Sequence, residues 1–235
     1  MIKTDLVLLA AGLGQRLSPD CPKQYVALGG IPMFIHPLRV FDSVEWVGQK
    51  IVVCLQGMEK ETTEILDQFG ISNYKLVEGG KTRQESVNLG LECVRTSSVI
   101  THNAAVALVT RDLIEQLQFF DEDCVTTAMP QKFNLARGDE WAHEIMDKEG
   151  MFVIDSPQIF KTEVLKSCHK KALEEGLNFN SDSGLMIHYG HTVRLVSGSS
   201  RNFKITTPTD LAFAEFLLSS PSLAPVQPMV HRHVS

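Results

Sequence analysis

Apolar and polar positions along the chain follow two periods. Short stretches rich in branched apolar residues, the pattern of buried strands, occur at Leu6–Leu9, Lys50–Leu55, Lys75–Val77, Ser98–Thr101 and Cys124–Met129. Between them, apolar residues recur at helical spacing over Met33–Phe41, Glu59–Phe69, Arg83–Val94 and Thr110–Phe120. Val87, Leu91 and Val94 share one helical face, and Gly70 is placed to stop the helix before it. This alternation predicts an α/β fold, a single-domain Rossmann-like, mostly parallel sheet with helices on both faces. Sheets of this kind bind ligands at the carboxyl ends of strands, near a reversal of strand order. The loops after Leu9, Val77 and Thr101 are therefore the candidate sites.

The second half is less regular. His143–Met146 and Met151–Ile154 flank Asp147-Lys148-Glu149-Gly150, a hairpin signature that predicts a protruding arm over about residues 137–156. Lys161–Glu175 reads as a helix stopped by Gly176, and Thr192–Val196 and Phe203–Thr206 read as strands. Thr207 as N-cap and Pro208 at the first helical position open a last helix through Leu218. No repeat or linker divides residues 1–218, which read as one domain. Residues 219–235, rich in Pro and Ser and without periodicity, read as a disordered tail.

Composition narrows the function classes. The chain has 235 residues, 43% apolar and 21% charged, enough for a full core. A formal net charge of -6 argues against a general nucleic-acid binder, which would carry a basic face, yet leaves room for a nucleotide pocket. The five cysteines are widely spaced and include no C-x-x-C pair, which suits reduced thiols; Cys21 lies in the first candidate loop. No apolar run approaches the roughly 20 residues of a membrane span, and the N-terminus leads almost at once into a strand. The expectation is a cytoplasmic protein without membrane contact.

The stretch Asp5–Lys23 carries the first chemical signal. Its apolar run breaks into Ala10, Ala11, Gly12 and Gly14, small residues that let backbone approach a ligand. Arg16 and Lys23 follow, with Pro19 and Pro22 stiffening the link between them. Backbone N–H groups in such a turn suit phosphate, and the cations would close over it. An ordinary strand-to-helix turn with two solvated cations is the competing reading. Leu17 stands where a dinucleotide fingerprint needs its third glycine, and the second strand ends in Gln56-Gly57 rather than an acid for a ribose. No P-loop pattern is present.

In combination the motifs are specific. L-L-A-A-G-x-G-x-R-L followed by P-K-Q-Y-x-x-L-G-G-x-P, with Gly79-Gly80-Lys81-Thr82-Arg83-Gln84-Glu85-Ser86-Val87, Asp155-Ser156-Pro157-Gln158-Ile159-Phe160 and Asn202-Phe203-Lys204-Ile205-Thr206-Thr207-Pro208-Thr209-Asp210-Leu211, resembles the cytidylyltransferases acting on methylerythritol phosphate and ribitol phosphate. The matches run in family order from about residue 5 to 218. The resemblance implies transfer of CMP from CTP to a polyol phosphate with release of pyrophosphate, Mg²⁺ as cofactor, and a homodimer. It places Arg16, Lys23 and Lys204 as the catalytic cations, and Ala10, Ala11, Gly12 and Gly14 against the nucleotide. Gly80, Lys81, Arg83 and Ser86 would frame cytosine and ribose, although Arg83 equally suits a scaffold role that pins the loop. Asn103 and Ala104 would also meet the nucleotide. The arm would cross to a second subunit and bring Lys148 to the acceptor phosphate, in place of the family's arginine. By the same resemblance Ser156 and Asn134 would be further acceptor contacts.

The third loop departs from the family. Where H-D-x-x-R-P is usual, this chain has His102-Asn103-Ala104-Ala105-Val106-Ala107, and Arg201 replaces an Asp before the Asn202–Lys204 motif. Asn103 is the candidate metal residue, with a carbonyl that can ligate Mg²⁺ but without a carboxylate's charge. Arg201 would replace part of the missing cation charge. Three readings follow: a cytidylyltransferase acting on methylerythritol phosphate, the same chemistry on ribitol 5-phosphate or a phosphonate, and a nucleotide-binding paralogue.

Overall fold

The computed structural model describes residues 3–12, 14, 17, 18, 21–119 and 121–220. Arg16, Pro19 and Phe120 lie outside the described residues, as does nearly all of the expected tail, 221–235. The first half runs β1 (Thr4–Ala10), β2 (Ala27–Leu28), β3 (Ile31–Pro32), α1 (Ile35–Asp42), β4 (Val47–Cys54), α2 (Glu59–Gln68), β5 (Tyr74–Glu78), α3 (Arg83–Leu91) and β6 (Ser98–Asn103). It continues with α4 (Arg111–Glu115), β7 (Cys124–Pro130), β8 (Leu135–Gly138), β9 (Ala142–Met146) and β10 (Phe152–Lys161). The chain closes with α5 (Thr162–Glu174), α6 (Asp182–His188), β11 (Val193–Ser197) and α7 (Pro208–Ser219).

Seven strands form one sheet in the order β11-β7-β10-β6-β1-β4-β5. Neighbours are parallel except at β10, which runs antiparallel to both β6 and β7. The β1 run is unbroken because both of its faces are covered. Leu6 and Leu8 pack with Phe34, Leu38, Phe41, Leu66 and Ile114 on one side; Val7 and Leu9 pack with Val87, Leu91, Leu165 and Met186 on the other. At Gly90, α3 lies so close to β1 that a Cβ would meet Val7 and Val53. Successive strands step from β1 to β4 to β5, then return to the other side of β1 at β6. That reversal places the loops after β1 and β6 side by side.

Three local expectations are corrected. The turn at 147–150 does not join two strands of a hairpin, although Gly150 takes φ +71° and Met151 N–H donates to Lys148 O. β9 pairs instead with β8, and Phe152–Asp155 pairs with Pro130–Thr127. The β10 strand is ten residues long and its far half is clamped between β6 and β7, so ladder pairing with the large sheet outweighs the local turn. Phe203–Thr206 forms no strand, because the backbone and hydroxyl of Thr206 are taken by the Asp210 carboxylate. The 110–120 helix is shorter, with α4 followed by a 3-10 turn at Gln116–Phe119. Helix α6 had no counterpart in the sequence reading.

Helix α7 begins as expected, with Thr207 as N-cap and Pro208 at its first position, and the cap is reciprocal. Thr207 Oγ1 accepts from Asp210 N–H, while the Asp210 carboxylate accepts from Thr207 N–H. Thr207→Ala is expected to destabilise the protein by about 1 kcal/mol in urea unfolding, with Thr207→Ser near wild type.

Candidate active site

A cavity of about 680 Å³ opens at the carboxyl ends of β1, β5 and β6. Ala11 and Gly12 form its floor, and the position where Gly12 lacks a Cβ faces open space. Gly14 does not line the cavity. It takes φ +62°, and the stem of Lys23 lies where its Cβ would be, so the glycine admits the lysine to the site. Ala10 is buried within the sheet, paired with Cys54.

The second loop closes upon itself. A Cβ at Gly79 would collide with that of Ala11, so the first two loops touch. Gly80 N–H donates to Ser86 Oγ, which donates in turn to Thr82 O; Lys81 N–H donates to the Glu85 carboxylate at 2.7 Å. Thr82 caps α3 by accepting from Glu85 N–H. Arg83 makes a two-pronged ion pair with Asp182, Nη1 to Oδ1 at 2.8 Å and Nη2 to Oδ2 at 2.7 Å. Its guanidinium is thus engaged as the scaffold reading requires, although the residue still lines the cavity. Asp182 is fully buried, accepts from Thr101 Oγ1 and lies 3.7 Å from His169 Nε2. Burial alone would raise its pKa, but the charge of Arg83, with His169 and the Arg83 hydrogen bonds, outweighs burial and holds it well below the usual carboxylate range.

The third loop is held by apolar burial. Ala104 through Val109 are all buried, and Val106, where the family has arginine, is fully so. His102 Nε2 pairs with Val106 O at 2.9 Å, and its ring meets Phe41 edge-on. Burial pushes the His102 pKa down to about 4, so the ring is neutral at physiological pH. Asn103 Oδ1 accepts from Ala105 N–H at 3.2 Å, and Asn103 N–H donates to Ser156 Oγ.

A second cavity of about 350 Å³ adjoins the first and shares Arg83, Asn103 and Lys204 with it. Asp155, Ser156, Gln158 and Ser181 line it. Lys204 is placed by its neighbours: Asn202 Nδ2 donates to Ser156 O, and Ile205 N–H donates to Ala105 O.

The structure therefore gathers Lys23, Lys204, Ala11, Gly12, Gly80, Lys81, Arg83, Ser86, Asn103, Ala104 and Ser156 about two joined cavities. It does not gather Asn134 or Lys148, which lie exposed and line neither cavity. Arg201 also lines neither; its guanidinium donates to Leu217 O near the end of α7. Sequence reasoning missed Asp182, Asp155 and Gln158. The signals available were Ser181 as a helix N-cap before Asp182 and the Asp155–Phe160 motif, which contains both Asp155 and Gln158.

Nothing in the described residues forms a dedicated metal cage. They contain no group of three or more His, Cys, Asp or Glu placed to hold a metal; Asn103 Oδ1 accepts one hydrogen bond from its own loop and keeps a second lone pair.

Comparison with known proteins finds relatives along nearly the whole chain. The family model described as 2-C-methyl-D-erythritol 4-phosphate cytidylyltransferase (IspD) matches residues 4–220. The enzyme of that name from Halalkalibacterium halodurans is 35% identical, over 91% of this chain and 96% of its own. Its namesake from Caldanaerobacter subterraneus is 32% identical, over 90% and 97%. The crystal structure of 4-diphosphocytidyl-2C-methyl-D-erythritol synthase from Anaerococcus prevotii shares the fold, with a TM-score of 0.81 at 23% identity over 93% of this chain and 96% of that one. The Thermus thermophilus cytidylyltransferase structure gives a TM-score of 0.76 at 25% identity, covering 93% and 100%.

Two outcomes follow for stability. The folded-state pKa of His102 lies below its unfolded value, so its contribution is present above about pH 6.5 and is lost as pH falls through about 4. A shift of this size corresponds to about 3 kcal/mol. Urea titrations at pH 7 and pH 4 should show that loss in wild type and a smaller one in His102→Gln. Asp182→Asn should destabilise the protein by about 3 kcal/mol at pH 7, the low end for a broken buried pair because Arg83 is one-third exposed.

Proposed function

Since the chain belongs to the 2-C-methyl-D-erythritol 4-phosphate cytidylyltransferase family, we propose that it transfers CMP from CTP to 2-C-methyl-D-erythritol 4-phosphate in isoprenoid biosynthesis. An oxygen of the acceptor phosphate bonds to the α-phosphorus of CTP, the bond from that phosphorus to the β-phosphate oxygen breaks, and pyrophosphate leaves. The observation that carries this reading is the joining of two cavities at Lys204 and Asn103. The larger takes the nucleotide, the smaller takes the acceptor, and their reacting ends meet beside one cation.

Phosphoryl transfer of this kind asks for positioning and charge neutralisation rather than a covalent nucleophile. Lys23, carried over Gly14, faces the triphosphate; Lys204 faces the α-phosphorus and the incoming phosphate. Arg16 joins the triphosphate clamp in this reading, from outside the described residues. The loop backbone at Ala11, Gly12 and Gly80 meets the nucleotide. Mg²⁺ enters with CTP, held by its phosphates and water rather than by the chain.

A homodimer completes the proposal. The β8–β9 region and the start of β10 leave Phe133, Trp141, Ile145, Val153 and Ile154 exposed, apolar side chains that a partner subunit would cover. In such a dimer Lys148, whose Nζ now donates to Lys132 O, reaches the acceptor cavity of the other subunit. Five unpaired cysteines, three of them buried, and the absence of a membrane-crossing helix among the described residues support a cytoplasmic setting.

The test is pyrophosphate release with CTP, Mg²⁺ and 2-C-methyl-D-erythritol 4-phosphate, against ribitol 5-phosphate. Lys204→Ala and Lys23→Ala are each expected to lower kcat about 100-fold or more, as loss of a transition-state charge contact does. Faster turnover with ribitol 5-phosphate would move the acceptor assignment. CTP binding without turnover of either would support the paralogue reading.

A further inference from the structure

We propose that Asp155 determines acceptor specificity, its carboxylate receiving a hydroxyl of the polyol and so turning the phosphate of the same molecule toward Lys204. The inference rests on the functional reading above and names the residue that orients the acceptor within it.

Backbone geometry first sets Asp155 apart. Asp155 pairs with Thr127 and Gln158 with Thr126, so Ser156 and Pro157 are extra residues bulged out of β10. Bulges re-aim side chains and are common beside active sites. This one is pinned on its inner side: Thr126 Oγ1 donates to Asp155 O at 3.0 Å, and Gln158 Nε2 donates to Thr126 Oγ1 at 2.8 Å. The residue that starts the bulge is thus held in place by its own carbonyl.

The character of the wall is the second observation. Among the described residues Asp155 is the one carboxylate lining the smaller cavity, whose neighbouring loop residue, Asn103, is neutral. Its Oδ1 accepts from Ser156 N–H at 2.8 Å. An ionised carboxylate has about four acceptor sites, so this bond leaves capacity for a ligand. Gln158, on the same wall, has its Oε1 buried with no donor among the described residues. Thr101 Oγ1 is spent on Asp182, and Ser156 Oγ accepts from Asn103 N–H. Beside Asp155 the wall thus offers two oxygens with acceptor capacity, its carboxylate and Gln158 Oε1, and these suit an uncharged group that donates. Polyol hydroxyls donate, whereas a phosphate dianion is repelled by the carboxylate and drawn to the lysine that both cavities share. Burial raises the pKa of Asp155, while the Ser156 N–H and Lys204 oppose the rise, consistent with a carboxylate half withdrawn from solvent beside a cation.

Asp155→Asn keeps the shape and the acceptor for Ser156 N–H but removes the charge. With 2-C-methyl-D-erythritol 4-phosphate, its KM for the acceptor should rise about 10–100-fold while its KM for CTP stays within about 2-fold, the change expected on losing one charged hydrogen bond. Wild type should also discriminate at least about 10-fold in kcat/KM against one single-deoxy analogue of this acceptor, and the variant should lose that discrimination. An unchanged acceptor KM, or equal rises for CTP and acceptor as from a mere counter-ion of Lys204, overturns the proposal. If the variant does not fold, wild type alone decides: equal kcat/KM for every single-deoxy analogue overturns it. A wild-type protein that turns over no polyol phosphate overturns the functional reading, and this inference with it.

Discussion

The Arg83–Asp182 pair is the constraint on which the site depends. It ties the start of α3 to the start of α6 and, through Thr101 Oγ1, both of these to β6. Gln84 extends the same tie, donating to Leu177 O and accepting from Phe179 N–H. A carboxylate buried this deeply is expensive to leave alone, and the attraction of its partner does little more than offset the desolvation. Its value lies in placement. With Asp182 inside, the first turn of α3 is tied to α6, and Gly79 in the loop before it lies against Ala11. Both cavities then share a wall whose position is set from within the protein rather than by ligand.

This changes the meaning of a motif that looked like a list of nucleotide contacts. In Gly80-Lys81-Thr82-Arg83-Gln84-Glu85-Ser86, Thr82 caps a helix, Arg83 and Gln84 hold the 177–182 segment, and Glu85 and Ser86 bind the loop's own N–H groups. The motif was legible as a site because those side chains occur together. Their division of labour was not, since the partner of Arg83 lies 99 residues away in a segment with no periodicity of its own. Helix α6 escaped notice for the same reason: seven residues with Gly184 near the middle and Leu185 and Met186 as its buried apolar pair form no amphipathic pattern. The sheet, by contrast, could be read from branched runs alone, because strands covered on both faces declare themselves in composition. The local turn at 147–150 misled for the converse reason. Turn chemistry reports that the chain reverses, but says nothing of which strand it reverses onto.

The loop after β6 shows how a family feature can be exchanged for another kind of support. Val106 in place of arginine removes a charged buttress, yet Ala105, Ala107 and Leu108 pack with Leu28, Met33, Ile205 and Leu217 in a small core of their own. Burial of several small apolar side chains, at roughly 25 cal/mol per Å², can replace an ion pair whose net worth is small. Asn103 keeps the loop's turn through its carbonyl, a role an aspartate would also fill. The substitutions therefore alter the charge of the loop without removing what shapes it.

Lys204 makes the link from fold to chemistry most directly. Its segment resembles a strand in sequence, but a strand would have committed its backbone to a neighbour and set its side chains by alternation. Instead the segment is stapled at separate points: Asn202 to the carbonyl of Ser156 on the acceptor side, Ile205 to the carbonyl of Ala105 on the nucleotide side, and Thr206 to the cap of α7. Each staple reaches a different part of the site. A residue held between the first two must border both cavities, and a cation there meets the atoms that change bonds. The irregular backbone is what allows one lysine to serve two substrates, and the helix cap that follows keeps it from relaxing into the sheet.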